Sequence, residues 1–105
     1  MQQAKKISAK SRSSYQKLED VIGCKWSVSV LTNVGKGINR PGELERSIEG
    51  ISTKVLSERF RKLVEYGLLE KQTYNELPPR TEYSLTEKGK KLVEIIAQIQ
   101  VLDSL

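Results

Sequence analysis

The segment GISTKVLSERFRKLVEY, residues 50–66, predicts a turn that opens into an amphipathic helix. Its apolar residues recur at three- and four-residue steps and form one stripe, while charged residues occupy the opposite side. Ser52 stands where an N-cap is expected, because its hydroxyl can accept a hydrogen bond from a free backbone N–H of the first turn. The preceding GELERSIEG, residues 42–50, predicts a shorter helix that ends in a glycine turn. A short helix, a tight turn and a longer polar-faced helix are typical of a helix-turn-helix.

The chain before this pair predicts two further helices with a break between them. Apolar residues in 15–22 form one stripe, Gly23 interrupts it, and a second stripe follows in residues 26–34. Residues 38–40 are enough only for a small strand, and Pro41 suits the first turn of the next helix.

Beyond the 50–66 helix, the sequence predicts a β-hairpin and then a long last helix. LLEKQTY (68–74) and TEYSL (81–85) carry the β-branched and aromatic residues of strands, and two prolines between them cannot continue a ladder. Thr86 is expected to cap the last helix. Its apolar stripe is wider than a small core can cover, so we expect a dimer interface there, in which the first helix of the chain takes part. The residues assigned to it are Leu92, Ile95, Ile99 and Leu102.

The composition limits the function classes. With no histidine and one cysteine among 105 residues, the chain offers neither a zinc cluster nor a histidine-based catalytic pair, so we expect no enzyme activity, metal or cofactor. No segment approaches the ~18 continuous apolar residues of a membrane span, and the N-terminus lacks the apolar run of a signal peptide. We therefore predict a cytoplasmic protein with one structured domain, residues 14–105, whose modest core would gain from dimerisation.

The net charge of +5 is concentrated near the N-terminus. Five basic residues precede the first acidic one, and the other 13 basic residues are matched by 13 acidic ones. Residues 1–13 are therefore predicted to form a flexible basic tail. Two interpretations of that tail remain, a solvated end and an arm that touches phosphate.

Four segments carry a family resemblance: VIGCKW (21–26), GELERSI (42–48), GISTKVLSERFRKLVEYGLL (50–69) and LPPRTEYSLTEKGKKL (77–92). In them the chain resembles the HxlR-type winged-helix transcription regulators, relatives of the MarR class, over about residues 18–92. The resemblance implies an α+β, mainly helical fold, a winged helix-turn-helix with a two-stranded wing hairpin and terminal dimerisation helices. It also implies a homodimer on double-stranded DNA, with the 50–66 helix in the major groove and the 74–81 hairpin as the wing.

The chain departs from this family at two positions. The family usually has a second glycine where Cys24 stands and a large aromatic residue where Pro41 stands. Many thiol-sensing members also carry a cysteine near the start of the first helix, where this chain has Ser13 or Ser14. Their sensing chemistry therefore does not transfer to this sequence.

The polar face of the 50–66 helix is expected to contact DNA, because a helix fits the major groove and presents its N-terminal polar residues to base edges. The hairpin is expected to add contacts to phosphate or to the minor groove. The predicted contacts are Ser52, Thr53, Lys54, Ser57 and Arg61 on the helix and Lys71, Asn75 and Arg80 on the wing.

These patterns indicate a sequence-specific transcription regulator that binds a roughly palindromic operator as a homodimer. A winged-helix module that contacts only proteins is one alternative, and Lys54 with Arg61 argues against it. A regulator switched by oxidation of Cys24 is another, although the chain has no second thiol to resolve a sulfenate and we expect Cys24 to be unreactive. No residue pattern predicts a small-molecule effector site.

Overall fold

The computed structural model describes residues 13–105, except for the side chain of Ser14. The predicted tail, residues 1–13, therefore lies outside the described part apart from Ser13. Within residues 13–105, the structure has five helices and a two-stranded antiparallel hairpin between the fourth and fifth helices. The helices are α1 (Ser14–Ile22), α2 (Lys25–Gly35), α3 (Pro41–Ser47), α4 (Thr53–Glu65) and α5 (Glu87–Asp103), and the strands are β1 (Leu69–Tyr74) and β2 (Arg80–Leu85).

Side-chain caps fix the starts of three helices. Ser52 accepts a hydrogen bond from the Val55 N–H (3.1 Å) before α4, and Thr86 accepts one from the Gly89 N–H (3.0 Å) at the start of α5, as predicted. Ser13 differs from its assignment to the tail. It is the N-cap of α1 and forms a reciprocal capping box with Gln16.

The end of α4 is set by Gly67, which has φ of 77°. The Gly67 N–H donates to the Val64 carbonyl (3.0 Å) and the Leu68 N–H donates to the Leu63 carbonyl (2.9 Å), the paired bonds of a Schellman motif. The left-handed conformation suits glycine because it has no Cβ. The chain therefore turns at once from α4 into the hairpin, so α4 and the hairpin are adjacent in space.

One core joins the helices to the base of the hairpin. Its fully buried side chains come from the first four helices, the α4–β1 turn and the start of β1, and include Val21, Leu31, Leu44, Leu63, Leu68 and Leu69. Helix α5 adds Leu92 and Ile96. Because Leu92 is 4% exposed, the structure places it in this core and corrects its assignment to an exposed dimer stripe.

The hairpin pairs from Leu69↔Leu85 at its base to Tyr74↔Arg80 near its tip. An isolated two-stranded hairpin is marginally stable at best, so packing of its base on the core is what holds it. Residues 38–40 do not form the small strand that was predicted, although the Tyr83 N–H of β2 donates to the Asn39 carbonyl (2.8 Å). Among residues 13–105, no helix has both the length and the apolar composition to cross a bilayer.

Candidate nucleic-acid interface

The outer side of α4 carries an exposed polar stripe. Leu56, Phe60 and Leu63 are buried on the inner side of this helix. The three- and four-residue steps from Lys54 to Ser57 and Arg61 bring these residues onto one side, and all three are exposed. Two cations and a hydroxyl on one accessible helix face can bind phosphate or base edges.

The first residues of α4 also have structural roles. The Ser52 hydroxyl accepts the capping hydrogen bond described above, and the Thr53 hydroxyl donates to Glu45 Oε2 of α3 (2.7 Å). This contact joins the two helices of the helix-turn-helix on their exposed side, which the sequence pattern did not predict. Ser52 and Thr53 are both exposed, so a DNA contact by either would add to its structural role.

An open groove of about 550 Å³ lies between α4, the start of α3 and the inner face of the hairpin. It brings together four of the predicted DNA-contacting residues. Those four are Thr53, Ser57 and Arg61 from the helix and Lys71 from the wing. The rest of its lining is largely apolar and includes Leu56, Phe60 and Tyr83. The groove therefore combines two cations at its edge with an apolar floor.

The predicted wing residues lie on different parts of the hairpin. Lys71 pairs with Tyr83 in the strand register, whereas Arg80 pairs with Tyr74. Since side chains alternate between the two faces of a strand, Lys71 and Arg80 point to opposite faces. Lys71 lines the groove, Asn75 is exposed just beyond β1, and neither Asn75 nor Arg80 is among the groove residues. The wing residues therefore do not form one cluster.

Arg80 lies among carboxylates of its own hairpin. Its Nη1 is 3.5 Å from Glu76 Oε2 and its Nε is 3.2 Å from Glu82 Oε2, while the guanidinium sits 4.1 Å from the centre of the Tyr74 ring. Glu82 Oε2 is also 3.6 Å from Arg40 Nε. The buried Arg80 Nε does not meet hydrogen-bond geometry with Glu82 despite that distance, so charge holds this pair. The sequence predicted an Arg directed at DNA and missed both carboxylates.

Cys24 is the N-cap residue of α2 and is half-buried. Burial alone would raise the pKa of its thiol, but the Ser27 hydroxyl, the backbone N–H groups of Ser27 and Trp26, and the Arg59 charge favour the thiolate and leave the pKa lowered. Arg59 of α4 directs Nη1 at Cys24 Sγ (3.7 Å). A lowered pKa favours thiol reactivity, which is opposite to the environment of the unreactive, apolar cysteine that we expected.

Exposed apolar side chains run along α5 beyond the core. Ile95, Ile99 and Leu102 are 48%, 43% and 65% exposed, in contrast to the buried Leu92. Tyr15 and Ile22 of α1 are exposed as well. Three of the four predicted interface residues therefore have the accessible surface that contact with a second chain requires.

The order of these elements, with α3 and α4 as the helix pair and β1 and β2 as the wing, defines a winged helix-turn-helix protein. Residues 21–104 match the HxlR-like helix-turn-helix family, and the chain belongs to that family. The structure and this match confirm the predicted fold class and family. It is a family of transcription regulators and not of enzymes.

Three known proteins illustrate the likeness. The HTH-type transcriptional regulator sll1512 of Synechocystis sp. is 38% identical over 89 residues, which span 85% of this chain and 66% of that protein. A MarR-family transcriptional regulator from Enterococcus faecalis V583 superposes with a TM-score of 0.78 at 31% identity, covering 92% of this chain and 90% of that one. The redox regulator HypR in its oxidized form superposes with a TM-score of 0.77 at 30% identity, covering 88% of this chain and 95% of that one.

Proposed function

We propose that this protein binds double-stranded DNA sequence-specifically as a homodimer and regulates transcription by occupying promoter DNA. Helix α4 enters the major groove, and the wing contacts the flanking backbone. The observation that carries the proposal is the exposed stripe of Lys54, Ser57 and Arg61 on α4. Ser57 and Arg61 of this stripe line the same open groove as Lys71 of the wing. A helix with this polar outer face matches the width and donor pattern of the major groove.

The exposed apolar stripe of α5 supports dimerisation. A second copy would cover Ile95, Ile99 and Leu102, which would otherwise leave an apolar patch in water. A two-fold axis presents the same α4 face twice, so the operator is roughly palindromic. Its half-sites would lie about one helical turn, ~10 base pairs, apart.

A mobility-shift titration against the DNA upstream of the protein's own gene tests this proposal. Wild type is compared with Arg61→Ala and with Arg61→Lys on the operator and on a scrambled duplex. If the Arg61 guanidinium forms two hydrogen bonds to one guanine, both variants should bind the operator more weakly. The expected loss of binding free energy is about 1–3 kcal/mol per lost bidentate contact. Only Arg61→Lys should keep the wild-type affinity for scrambled DNA, because lysine preserves the positive charge but lacks the planar, bidentate guanidinium.

The result that contradicts this proposal is equally specific. If Arg61→Ala bound both duplexes as wild type does, α4 would not be the DNA-reading helix. If wild type bound neither duplex, the module that contacts only proteins would become the preferred function.

Control of DNA binding through Cys24 is a second candidate function. Two observations support it: the lowered pKa of the Cys24 thiol and its contact with Arg59, which belongs to the same helix as Arg61. The structural likeness to HypR in its oxidized form agrees with it. Hydrogen peroxide should then oxidise the Cys24 thiol to a sulfenic acid, with release of one water, and abolish operator binding by wild type. A thiol reductant should restore binding, and Cys24→Ser should be insensitive to both. Equal responses of wild type and Cys24→Ser would exclude this switch.

A further inference from the structure

We infer that Glu76 competes with DNA phosphate for Arg80 and thereby limits how strongly the wing binds any duplex. This inference rests on the proposed DNA-binding function and adds a residue that opposes it. In the free protein, Arg80 lies beside the carboxylates of Glu76 and Glu82. A phosphate oxygen offers the same guanidinium a chemically similar partner, since arginine pairs with carboxylate and phosphate in the same geometry.

The two carboxylates differ in how easily they can be displaced. Glu82 is on β2, its side chain is 23% exposed, and it also contacts Arg40, the N-cap residue of α3. This acid therefore ties the hairpin to the helix pair. Glu76 lies beyond β1 in the tip, its side chain is 48% exposed, and its contact with Arg80 is 3.5 Å long. Glu76 is the partner that can leave without disturbing the base of the hairpin.

Tyr74 keeps Arg80 in place whichever anion it binds. The guanidinium lies 4.1 Å from the centre of the Tyr74 ring, the residue directly opposite it in the strand register. This cation–π contact fixes the position of the charge near the tip. Exchanging Glu76 for phosphate therefore needs only a movement of the tip carboxylate.

The expected magnitude is small but measurable. An exposed ion pair contributes little free energy in water. Removing the Glu76 carboxylate as a competitor for Arg80 should therefore raise DNA affinity only about two- to fivefold per wing. Since phosphate contacts carry no sequence information, the gain should be the same on operator and scrambled DNA. Freeing one arginine for phosphate also makes the plot of log affinity against log salt steeper by up to about 0.9 per wing.

Glu70 provides a matched control on the same hairpin. Glu70 pairs with Ser84 in the strand register. Ser84, Glu82 and Arg80 follow one another at two-residue steps along β2, so Glu70 lies on the same face of the hairpin as Arg80. At ~3.3 Å per residue, the four-residue step from its partner Ser84 to Arg80 places Glu70 roughly 13 Å from Arg80 along the strands. Glu70 is exposed, and no ion pair involves it in the part of the chain that the structure describes. Glu70→Gln therefore makes the same charge change without releasing Arg80.

The test titrates wild type, Glu76→Gln and Glu70→Gln with operator and scrambled duplexes at several salt concentrations, and repeats both substitutions in an Arg80→Ala background. Glu76→Gln should bind both duplexes more tightly than Glu70→Gln, and this difference should vanish when Arg80 is absent. Equal affinities of the two variants, or a difference that persists without Arg80, would overturn the inference alone. If wild type bound neither duplex, the proposed function would fall and the inference with it.

Discussion

The ring of Phe60 on α4 stacks on the ring of Tyr83 on β2, with centroids 3.9 Å apart and planes only 6° from parallel. This contact forms the floor of the groove and joins the proposed reading helix directly to the wing. Because both rings are buried, the angle between helix and hairpin depends on their packing. A change at either ring should therefore alter the geometry that the helix and the wing present together.

The stack can be measured with a double-mutant cycle. Phe60→Leu and Tyr83→Leu each keep an apolar side chain of similar size while removing one ring, and the double variant removes both. The sum of the losses of unfolding free energy in the two single variants should exceed the loss in the double variant by about 0.5–1.5 kcal/mol. This is the coupling energy expected of an aromatic pair. Urea unfolding gives all four free energies. Strict additivity would show that the rings contribute only through burial.

Tyr83 should also make stability depend on pH in alkaline solution. Burial raises the pKa of its hydroxyl in the folded protein, whereas the unfolded chain ionises near the ordinary value of about 10. Its contribution to unfolding free energy is therefore complete below about pH 10 and is lost as pH rises from there through the folded pKa.

Tyr83→Phe tests this dependence by chemical unfolding at pH 8 to 11. It should remove that part of the alkaline decline, while Tyr15→Phe, which changes an exposed ring, should leave the decline in place. An unchanged pH profile for Tyr83→Phe would contradict the assignment.

The proposed dimer interface is best tested by a single charge. Ile99→Glu places a carboxylate in the exposed apolar stripe and should convert the dimer to a folded monomer, because the charge would be desolvated at the interface. Val101→Glu is the matched control. Val101 is also exposed, and because it lies two residues after Ile99 it faces a different side of the helix from the stripe. Light scattering should report a monomer for the first variant and a dimer for the second. A monomeric wild type would remove the proposal.

Truncation after Lys91 is a poorer test of the same interface. It would remove Leu92 and Ile96, which belong to the core of the single chain. Loss of folding would then be indistinguishable from loss of the dimer.

The acidity of Cys24 should respond to Ser27. The Ser27 hydroxyl is among the groups that favour the thiolate, so Ser27→Ala should move the pH midpoint of alkylation upward and slow the reaction at pH 7. Iodoacetamide labelling followed by mass spectrometry reports this residue alone, because the chain has one cysteine. Ser29→Ala, two residues along α2, is the control. Identical midpoints for Ser27→Ala and wild type would show that the hydroxyl has no influence.

Local signals in the sequence were sufficient to place several helix boundaries, although the cap at Ser13 was missed. Ser52 and Thr86 cap helices, and Gly67 ends one, through interactions with residues at most a few positions away. The break at Gly23 and the proline at the start of α3 are equally local. Each depends on backbone chemistry that a short segment determines by itself.

Long-range packing decided what the sequence did not predict. The apolar steps of α5 are the same whether a residue faces the chain's own core or a second chain, so Leu92 could not be separated from Ile95 by spacing. Likewise, the lowered pKa of Cys24 depends partly on Arg59, 35 positions away. The carboxylates of Glu76 and Glu82 are only four and two positions from Arg80, but their contacts depend on how the hairpin folds.

The closed base of the hairpin has a consequence for how such a protein can diversify. Thr86 donates its hydroxyl to the Gly67 carbonyl (2.6 Å), and its N–H donates to the Leu68 carbonyl (3.1 Å), so the two ends of the hairpin are fastened together. Residues 75–79 at the tip lie outside that closure and are exposed. Insertions, deletions and charge changes can accumulate there at little cost to folding. The reach and charge of the wing can thus evolve independently of α4.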